Sequence, residues 1–152
     1  HRLHRKLRGN SMVIMYVDYG DARTGIAVCD PLELLASPVD VIHSNYEPKV
    51  IAKIKELCNV HSPKLIVVGL PKNMDSTIGE RAQKCIEFAQ KLEEELSVKT
   101  VTWDERLTTV SAHGFLNNTN TRGQKRKNIV DAVSAVIILQ DYLAYRKNTE
   151  KK

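Results

Sequence analysis

The sequence lacks the features that mark membrane and secreted proteins. No apolar stretch approaches the roughly 20 residues that a membrane-spanning helix needs, so we expect no contact with a membrane. The N-terminus is basic, but no apolar segment follows it as in a secretory signal. We therefore expect a cytoplasmic protein.

The three cysteines, Cys29, Cys58 and Cys85, are odd in number and widely spaced, without a CxxC pair. This pattern argues against a disulfide framework and against a cysteine zinc site. We interpret the cysteines as small buried apolar residues in a reduced compartment. Aromatic residues make up only 5% of the chain, and no series of aromatic residues that could stack bases is evident.

The excess of basic charge comes largely from the first 11 residues. The whole chain has a formal net charge of +5, but residues 1–11 contribute four basic and no acidic residues, so the rest carries only +1. We interpret 1–11 as a vector-derived or disordered extension, 12–146 as one domain, and 147–152 as a flexible basic tail. Nucleic-acid binding must therefore be argued from local charge.

Apolar patterning predicts one α/β domain. Strands are predicted at 13–17, 24–29, 39–43, 64–68 and 99–103, and helices at 47–60, 77–96, 108–116 and 128–146. The first three strands have short links, which favour an antiparallel meander, whereas helices separate the later ones. A capping box at Thr77–Glu80 marks one helix start, and the polar stretch 117–127 predicts a flexible loop. The order indicates a mixed five-stranded sheet with helices on both faces.

Acidic residues stand where separate elements end or begin. Asp18 follows the apolar strand VIMYV, Asp104 and Glu105 follow KTVTW, and Asp131 lies in the last helix within the nearly all apolar stretch 129–139. The carboxyl ends of parallel strands meet at one edge of a sheet, and carboxylates are the ligands that Mg²⁺ and Mn²⁺ prefer. The pattern suggests a two-metal site that cuts nucleic acid, in which the ions activate water and stabilise the leaving oxygen.

Each acid also has a purely structural explanation. Asp18 could cap the turn to Gly20 through its side chain. Asp104 could cap the next helix, with Glu105 simply in solvent. Asp131 lies three residues after Asn128, where the helix dipole favours an acid.

Several basic or polar residues near these acids are candidates for phosphate contacts. They are Arg23, Lys72, Asn73, Arg106, Arg122, Lys125, Arg126 and Lys127. An ordinary solvated loop would explain the last four equally well.

Four stretches together resemble the YqgF family of Holliday-junction-resolvase-like proteins. They are VDYGDARTGIAVCDP (17–31), VGLPKNMDSTIGERA (68–82), DERLTT (104–109) and NIVDAVSAVIILQDYL (128–143). The resemblance implies an RNase H-like fold with sheet order 3-2-1-4-5 and an antiparallel strand 2. It also implies a divalent-metal endonuclease associated with maturation of the 5′ end of 16S rRNA in the bacterial cytoplasm.

By motif match, Asp18, Glu105 and Asp131 take the family's acidic positions, as metal ligands and catalytic residues, and Asp104 is a second candidate beside Glu105. The sequence departs from the family pattern at Thr24, Cys29 and Ser76. None of these departures removes a carboxylate. In the implied sheet Glu105 must reach Asp18 across strand 4.

Two other functions stay open. The same site could resolve four-way DNA junctions, which requires a symmetric dimer for paired cuts. Alternatively, the chain could be a non-catalytic nucleic-acid-binding factor, because strand 4 ends in Gly-Leu-Pro where resolvases of this fold commonly carry an acid. We expect structured RNA as the first partner, branched DNA as the second, and a monomer or weak homodimer.

Overall fold

Five strands and three helices make up the part of the chain that the computed structural model describes, namely residues 12–71, 79–104 and 123–150, with side chains in the last helix described over 133–148. The elements are β1 (Ile14–Tyr19), β2 (Arg23–Cys29), β3 (Ala36–His43), α1 (Glu47–His61), β4 (Leu65–Leu70), α2 (Glu80–Leu96), β5 (Lys99–Asp104) and α3 (Gly123–Glu150). None of these helices is both long and apolar enough to cross a membrane.

The strands form one sheet in the order β3-β2-β1-β4-β5. Strand β2 runs antiparallel to β1 and β3, whereas β1, β4 and β5 are mutually parallel. Every residue of β4 is buried, as expected of a central parallel strand with both faces covered. The predicted RNase H-like sheet is confirmed.

Helices cover the sheet on both faces, so successive residues of a strand belong to different cores. Met15 and Val17 of β1 pack in a cluster with residues of α1 and α2. Ile14 and Tyr16 pack in a second cluster with residues of α3. We call these two sides of the sheet the α1–α2 face and the α3 face.

The C-terminal half of α3 is fixed to the loop between β2 and β3. Gln140 accepts a hydrogen bond from the backbone N–H of Ala36 (3.1 Å) and donates one to the carbonyl of Leu34 (2.7 Å). Arg146 lies 2.7 Å from Glu33, whose other carboxylate oxygen accepts the backbone N–H of Met12 at 2.8 Å. Arg146 is therefore connected through Glu33 to Met12, just before β1.

Three predicted boundaries need correction. Helix α3 begins at Gly123, inside the predicted loop 117–127, and continues to Glu150, inside the predicted tail 147–152. Residues 124–127 are Gln, Lys, Arg and Lys, which favour a helix without any apolar periodicity. The N-cap of α2 is Gly79, without a side-chain hydrogen bond, so the capping box at Thr77 is not what starts this helix. The helix predicted at 108–116 lies outside the described residues.

The cysteines occupy the structural positions that their spacing indicated. Cys29 and Cys85 are buried, Cys58 is half-buried, and none forms a disulfide. Burial raises the pKa of the Cys29 and Cys58 thiols to about 11. Both are therefore protonated near neutral pH, which suits apolar packing rather than nucleophilic chemistry.

Candidate functional site

The parallel strands β1, β4 and β5 end together at one edge of the sheet. Val17 pairs with Val68 and Val68 with Thr102, so the residues that follow them lie level with one another. Asp18 and Asp104 are the acidic residues at these strand ends. The edge is therefore where the sequence placed a site.

Asp18 lies between two glycines on its own face of the sheet. Its partner on β2 is Gly25. On β4, the residue after Val68 is Gly69, which is level with Asp18. Because strand residues alternate between faces and Tyr16 lies on the α3 face, Asp18 and both glycines belong to that face too. The positions directly level with Asp18 on the two neighbouring strands are therefore both glycines, which have no side chain.

Asp104 belongs to the opposite face. Trp103 packs in the cluster on the α3 face, whereas Thr100 and Thr102 line a cavity of about 580 Å³ against α2. Asp104 shares the parity of the two threonines, so its side chain belongs to the α1–α2 face. The structure thus brings Asp18 and Asp104 to one edge but not to one face.

Arg23 is the predicted phosphate-binding residue that the structure does bring near Asp18. It begins β2, pairs with His43 and lies two residues from Gly25, the partner of Asp18. It therefore shares the α3 face with Asp18. A cation at this point suits a phosphate that approaches the carboxylate.

The remaining predicted site residues fall outside the described side chains. Outside the described residues lie Glu105, Lys72, Asn73, Arg106 and Arg122. Within α3, but before the residues whose side chains are described, lie Asp131, Lys125, Arg126 and Lys127. Among the described side chains, no three of His, Cys, Asp or Glu lie close enough to hold a metal ion. Asp18, a hard oxygen donor, is the one proposed ligand whose surroundings can be tested, and they suit a cation.

An arginine that the sequence analysis missed contacts the turn after Asp18. Arg81, in the first turn of α2, lies 2.6 Å from Asp21 and also donates to the carbonyl oxygen of Tyr19. Burial, and secondarily the nearby Glu47 carboxylate, raises the pKa of Tyr19. The contact joins residues 60 positions apart in the sequence, and no local pattern marks it.

An aromatic cluster, also missed, lies beside the end of β5. Trp103 makes an edge contact with Tyr142 (ring centroids 5.2 Å) and a tilted contact with Tyr145 (5.0 Å). Tyr142 and Tyr145 lie within 6.5 Å of each other. The sequence shows no series of aromatic residues, but the fold brings the rings of Trp103, Tyr142 and Tyr145 together.

Comparison with known proteins gives a match over almost all of the domain. Residues 12–145 match the family described as RuvX, Holliday junction resolvase. A protein of Clostridium novyi (strain NT) that bears the name "Putative pre-16S rRNA nuclease" is 42% identical over 132 residues, 87% of this chain and 98% of the relative. A protein of the same name from Clostridium beijerinckii is 43% identical over 132 residues, 87% of this chain and 96% of the relative.

Two solved structures of Thermus thermophilus RuvC share the fold. One, in complex with a Holliday junction substrate, aligns with a TM-score of 0.58 at 15% identity, over 91% of this chain and 97% of that one. The other has a TM-score of 0.55 at 13% identity, over 91% of this chain and 98% of that one. At such low identity the likeness shows the fold alone.

Proposed function

Because the chain belongs to the RuvX family of Holliday junction resolvases, we propose that it is a divalent-metal-dependent endonuclease that processes the 5′ end of pre-16S rRNA in the cytoplasm. Family membership agrees with the resemblance seen in the motifs, and it gives the class of enzyme, a hydrolase that cuts phosphodiester bonds. The metal, the substrate and the site residues are the proposal.

The single observation that carries the proposal is the setting of Asp18. The residues of β1 from Ile14 to Val17 are completely buried, and the strand then delivers a carboxylate between Gly25 and Gly69. A carboxylate at the end of a buried strand needs cations or hydrogen bonds around it. The two glycines leave the adjacent positions of the face without side chains, as a metal ion bound to phosphate requires.

Asp131 is the second proposed ligand, and the length of α3 is compatible with it. Arg146 lies near the start of β1, and residue 131 precedes it by 15 positions, about 22 Å of helix. From Met12 to Asp18 the chain advances about 20 Å. The helix therefore has the length to bring residue 131 back to the edge that carries Asp18.

Glu105 is the third proposed ligand, in preference to Asp104. Asp104 belongs to the α1–α2 face, away from Asp18, so a ligand from the end of β5 is better sought at the next residue. Two strand spacings, about 10 Å, separate β5 from β1. Gly69, between them, presents no side chain that would block an approach across β4.

Carboxylates from these three positions would hold Mg²⁺ or Mn²⁺, and the bound ions would supply a nucleophilic water and charge for the leaving oxygen. Resolvases and other RNase H-like nucleases generally use divalent metals, which agrees with an all-oxygen donor set. Arg23, on the same face, would bind a phosphate of the substrate. Seven further residues would bind other phosphates of the substrate, namely Lys72, Asn73, Arg106, Arg122, Lys125, Arg126 and Lys127.

The names of the Clostridium relatives support an rRNA precursor as the substrate, since their identity to this chain exceeds 40% over nearly their whole length. The family description favours a second candidate, a four-way DNA junction. Paired cuts in a junction require a symmetric dimer. The first candidate is compatible with a monomer.

A cleavage assay on both substrates tests the proposal. Pre-16S rRNA and a four-way DNA junction are incubated with the protein in Mg²⁺, in Mn²⁺ and in EDTA. We expect metal-dependent cuts near the 5′ end of the mature rRNA and slower or no cuts in the junction. Cleavage of the junction that is faster than cleavage of the RNA, by a protein that sediments as a dimer, would favour the second candidate.

A non-catalytic binding factor is distinguished by metal binding rather than by cleavage. We expect Mn²⁺ to broaden the amide resonance of Asp18 selectively, because the ion binds beside it. Binding of RNA without any cleavage and without any selective broadening at Asp18 would overturn the enzyme proposal.

A further inference from the structure

The turn that follows Asp18 is held from outside by Arg81 of α2. One guanidinium nitrogen lies 2.6 Å from the carboxylate of Asp21, and another donates to the backbone carbonyl oxygen of Tyr19. Arg81 therefore contacts both Tyr19, the residue after Asp18, and Asp21, in the middle of the turn. The planar fork of arginine can serve two acceptors at once, which the ammonium group of lysine cannot do in the same geometry.

The side chain of Tyr19 is held by the same helix. Its ring stacks on Phe88 with centroids 3.8 Å apart and an interplanar angle of 5°. The guanidinium carbon of Arg81 lies 5.6 Å from the centroid of the same ring. Phe88 is completely buried, so it offers a rigid surface. Helix α2 therefore fixes Tyr19 by its backbone carbonyl and by its ring.

Fixing Tyr19 also fixes its neighbour. The ring of Tyr19 packs on the α1–α2 face, so the side chain of Asp18 must emerge on the α3 face. At Gly20 a Cβ atom would lie 2.2 Å from the carbonyl oxygen of Arg23, so the turn is closed tightly. A rotation of the backbone at Asp18 would have to disturb this turn and the contacts of Arg81 together.

The ion pair between Arg81 and Asp21 adds little to the stability of the fold. The side chains of Arg81 and Asp21 are 33% and 79% exposed, and ion pairs so exposed contribute little to folding. The pair formed by Lys53 of α1 and Asp40 of β3 also joins a helix to the sheet, is similarly exposed, and includes no residue of the Tyr19–Arg23 turn. The two pairs therefore separate an effect on the turn from an effect on folding.

We propose that Arg81 is a positioning residue of the nuclease site: it holds the Tyr19–Arg23 turn so that the Asp18 carboxylate points to the bound metal. The inference rests on the proposed function, because it assigns Asp18 to a metal site. It adds a residue that acts through the backbone of β1 and touches neither the metal nor the substrate.

The test compares the full chain with Arg81→Gln and Arg81→Lys, with Lys53→Gln as the matched control. Hydrogen exchange of the amides of residues 19–23, the Mn²⁺ affinity measured at the Asp18 amide, and kcat and KM for RNA cleavage are determined for each. We expect Arg81→Gln to speed the exchange, to weaken Mn²⁺ binding by about 10-fold or more, and to lower kcat with little change in KM. Arg81→Lys should lie in between, and all three variants should unfold at nearly the same temperature.

The outcomes separate the two proposals. Exchange and Mn²⁺ affinity in Arg81→Gln equal to those of Lys53→Gln would overturn the role of Arg81. If the parent protein itself binds no Mn²⁺ at Asp18, the proposed function fails and the exchange data decide on Arg81 alone. In that case, faster exchange only in the Arg81 variants would support the conclusion that Arg81 holds the turn. Equal exchange in all variants would refute that conclusion.

Discussion

Asp18 and Asp104 end strands at the same edge of the sheet, yet their side chains belong to opposite faces. Asp18 shares the α3 face with Tyr16, and Asp104 shares the α1–α2 face with Thr102. A metal ion bound by Asp18 would therefore be separated from Asp104 by the sheet itself. The packing of the strands therefore separates Asp104 from Asp18, although the sequence pattern placed both acids at the same edge of the sheet.

The first prediction concerns the end of β5. Asp104→Asn should leave the cleavage rate within a few-fold of the parent, because its carboxylate faces away from Asp18. Glu105→Gln should lower the rate by more than about 100-fold, the upper range for residues that merely support a metal ligand. Single-turnover cleavage of pre-16S rRNA measures both. The reverse ranking would mean that Asp104 is the ligand.

Sequence reasoning gave the elements of this fold well because their apolar patterns are strong. It could not give the face of each strand residue. Strand β1 is buried on both sides, so the run Ile14–Val17 is apolar throughout and shows no alternation. The packing of Trp103, and not the sequence pattern, shows that Asp104 belongs to the α1–α2 face.

Other features escaped because they depend on distant parts of the chain. Strand β3 begins at Ala36, before Pro38, since an edge strand tolerates a proline. Arg81 looked like an ordinary charge in the first turn of a helix, and only the tertiary structure brings it to Asp21. The acids Asp18, Glu105 and Asp131 came from motif matching, and their joint role stays a prediction.

The second prediction is that Thr24→Val stabilises the protein. Thr24 is completely buried, and its hydroxyl has no hydrogen-bond partner among the described residues. Removing a buried, unsatisfied hydroxyl should raise the free energy of unfolding by about 1 kcal/mol, as measured by urea denaturation. Thr100→Val is the matched control, because that hydroxyl donates to the carbonyl of Val98 at 3.0 Å. The control should gain nothing, and a loss of stability in Thr24→Val would contradict the assignment.

The third prediction concerns the ion pair that fixes the end of α3. The side chain of Glu33 is only 2% exposed and that of Arg146 17%. Arg146→Met would leave a buried carboxylate without its cation, so we expect a loss of about 3 kcal/mol in urea unfolding. Lys53→Met, which removes an exposed partner of Asp40 4.0 Å away, should cost less than about 1 kcal/mol. Equal losses would show that the pair involving Glu33 has no special role.

The fourth prediction concerns the thiols. The pKa of Cys58 is about 11 in the folded protein against 9.0 for an ordinary thiol, so at about pH 8 it should hold about 100-fold less thiolate and react correspondingly slowly with a disulfide reagent. The same reagent should react at the ordinary rate in guanidinium chloride. Fast labelling of the native protein at Cys58 would contradict the raised pKa.

The same shift predicts how stability depends on pH. The pKa of Cys29 and of Cys58 is about 11 in the folded protein, against an ordinary value of 9.0. The contribution of these two thiols to the free energy of unfolding is therefore fully present below pH 9.0. That contribution should be lost as the pH rises to about 11. Urea unfolding at several pH values measures it, and replacing both residues by alanine should flatten the slope between these values.

The fifth prediction tests the central claim, that Asp18 anchors a metal-dependent nuclease site. The measurement is the single-turnover rate of pre-16S rRNA cleavage in Mg²⁺ for the parent and for Asp18→Asn, with circular dichroism to show that both are folded. Asparagine keeps the size of the side chain and removes its charge, so we expect a folded variant whose rate falls by more than about 100-fold. A folded Asp18→Asn variant that cuts as fast as the parent would contradict the account.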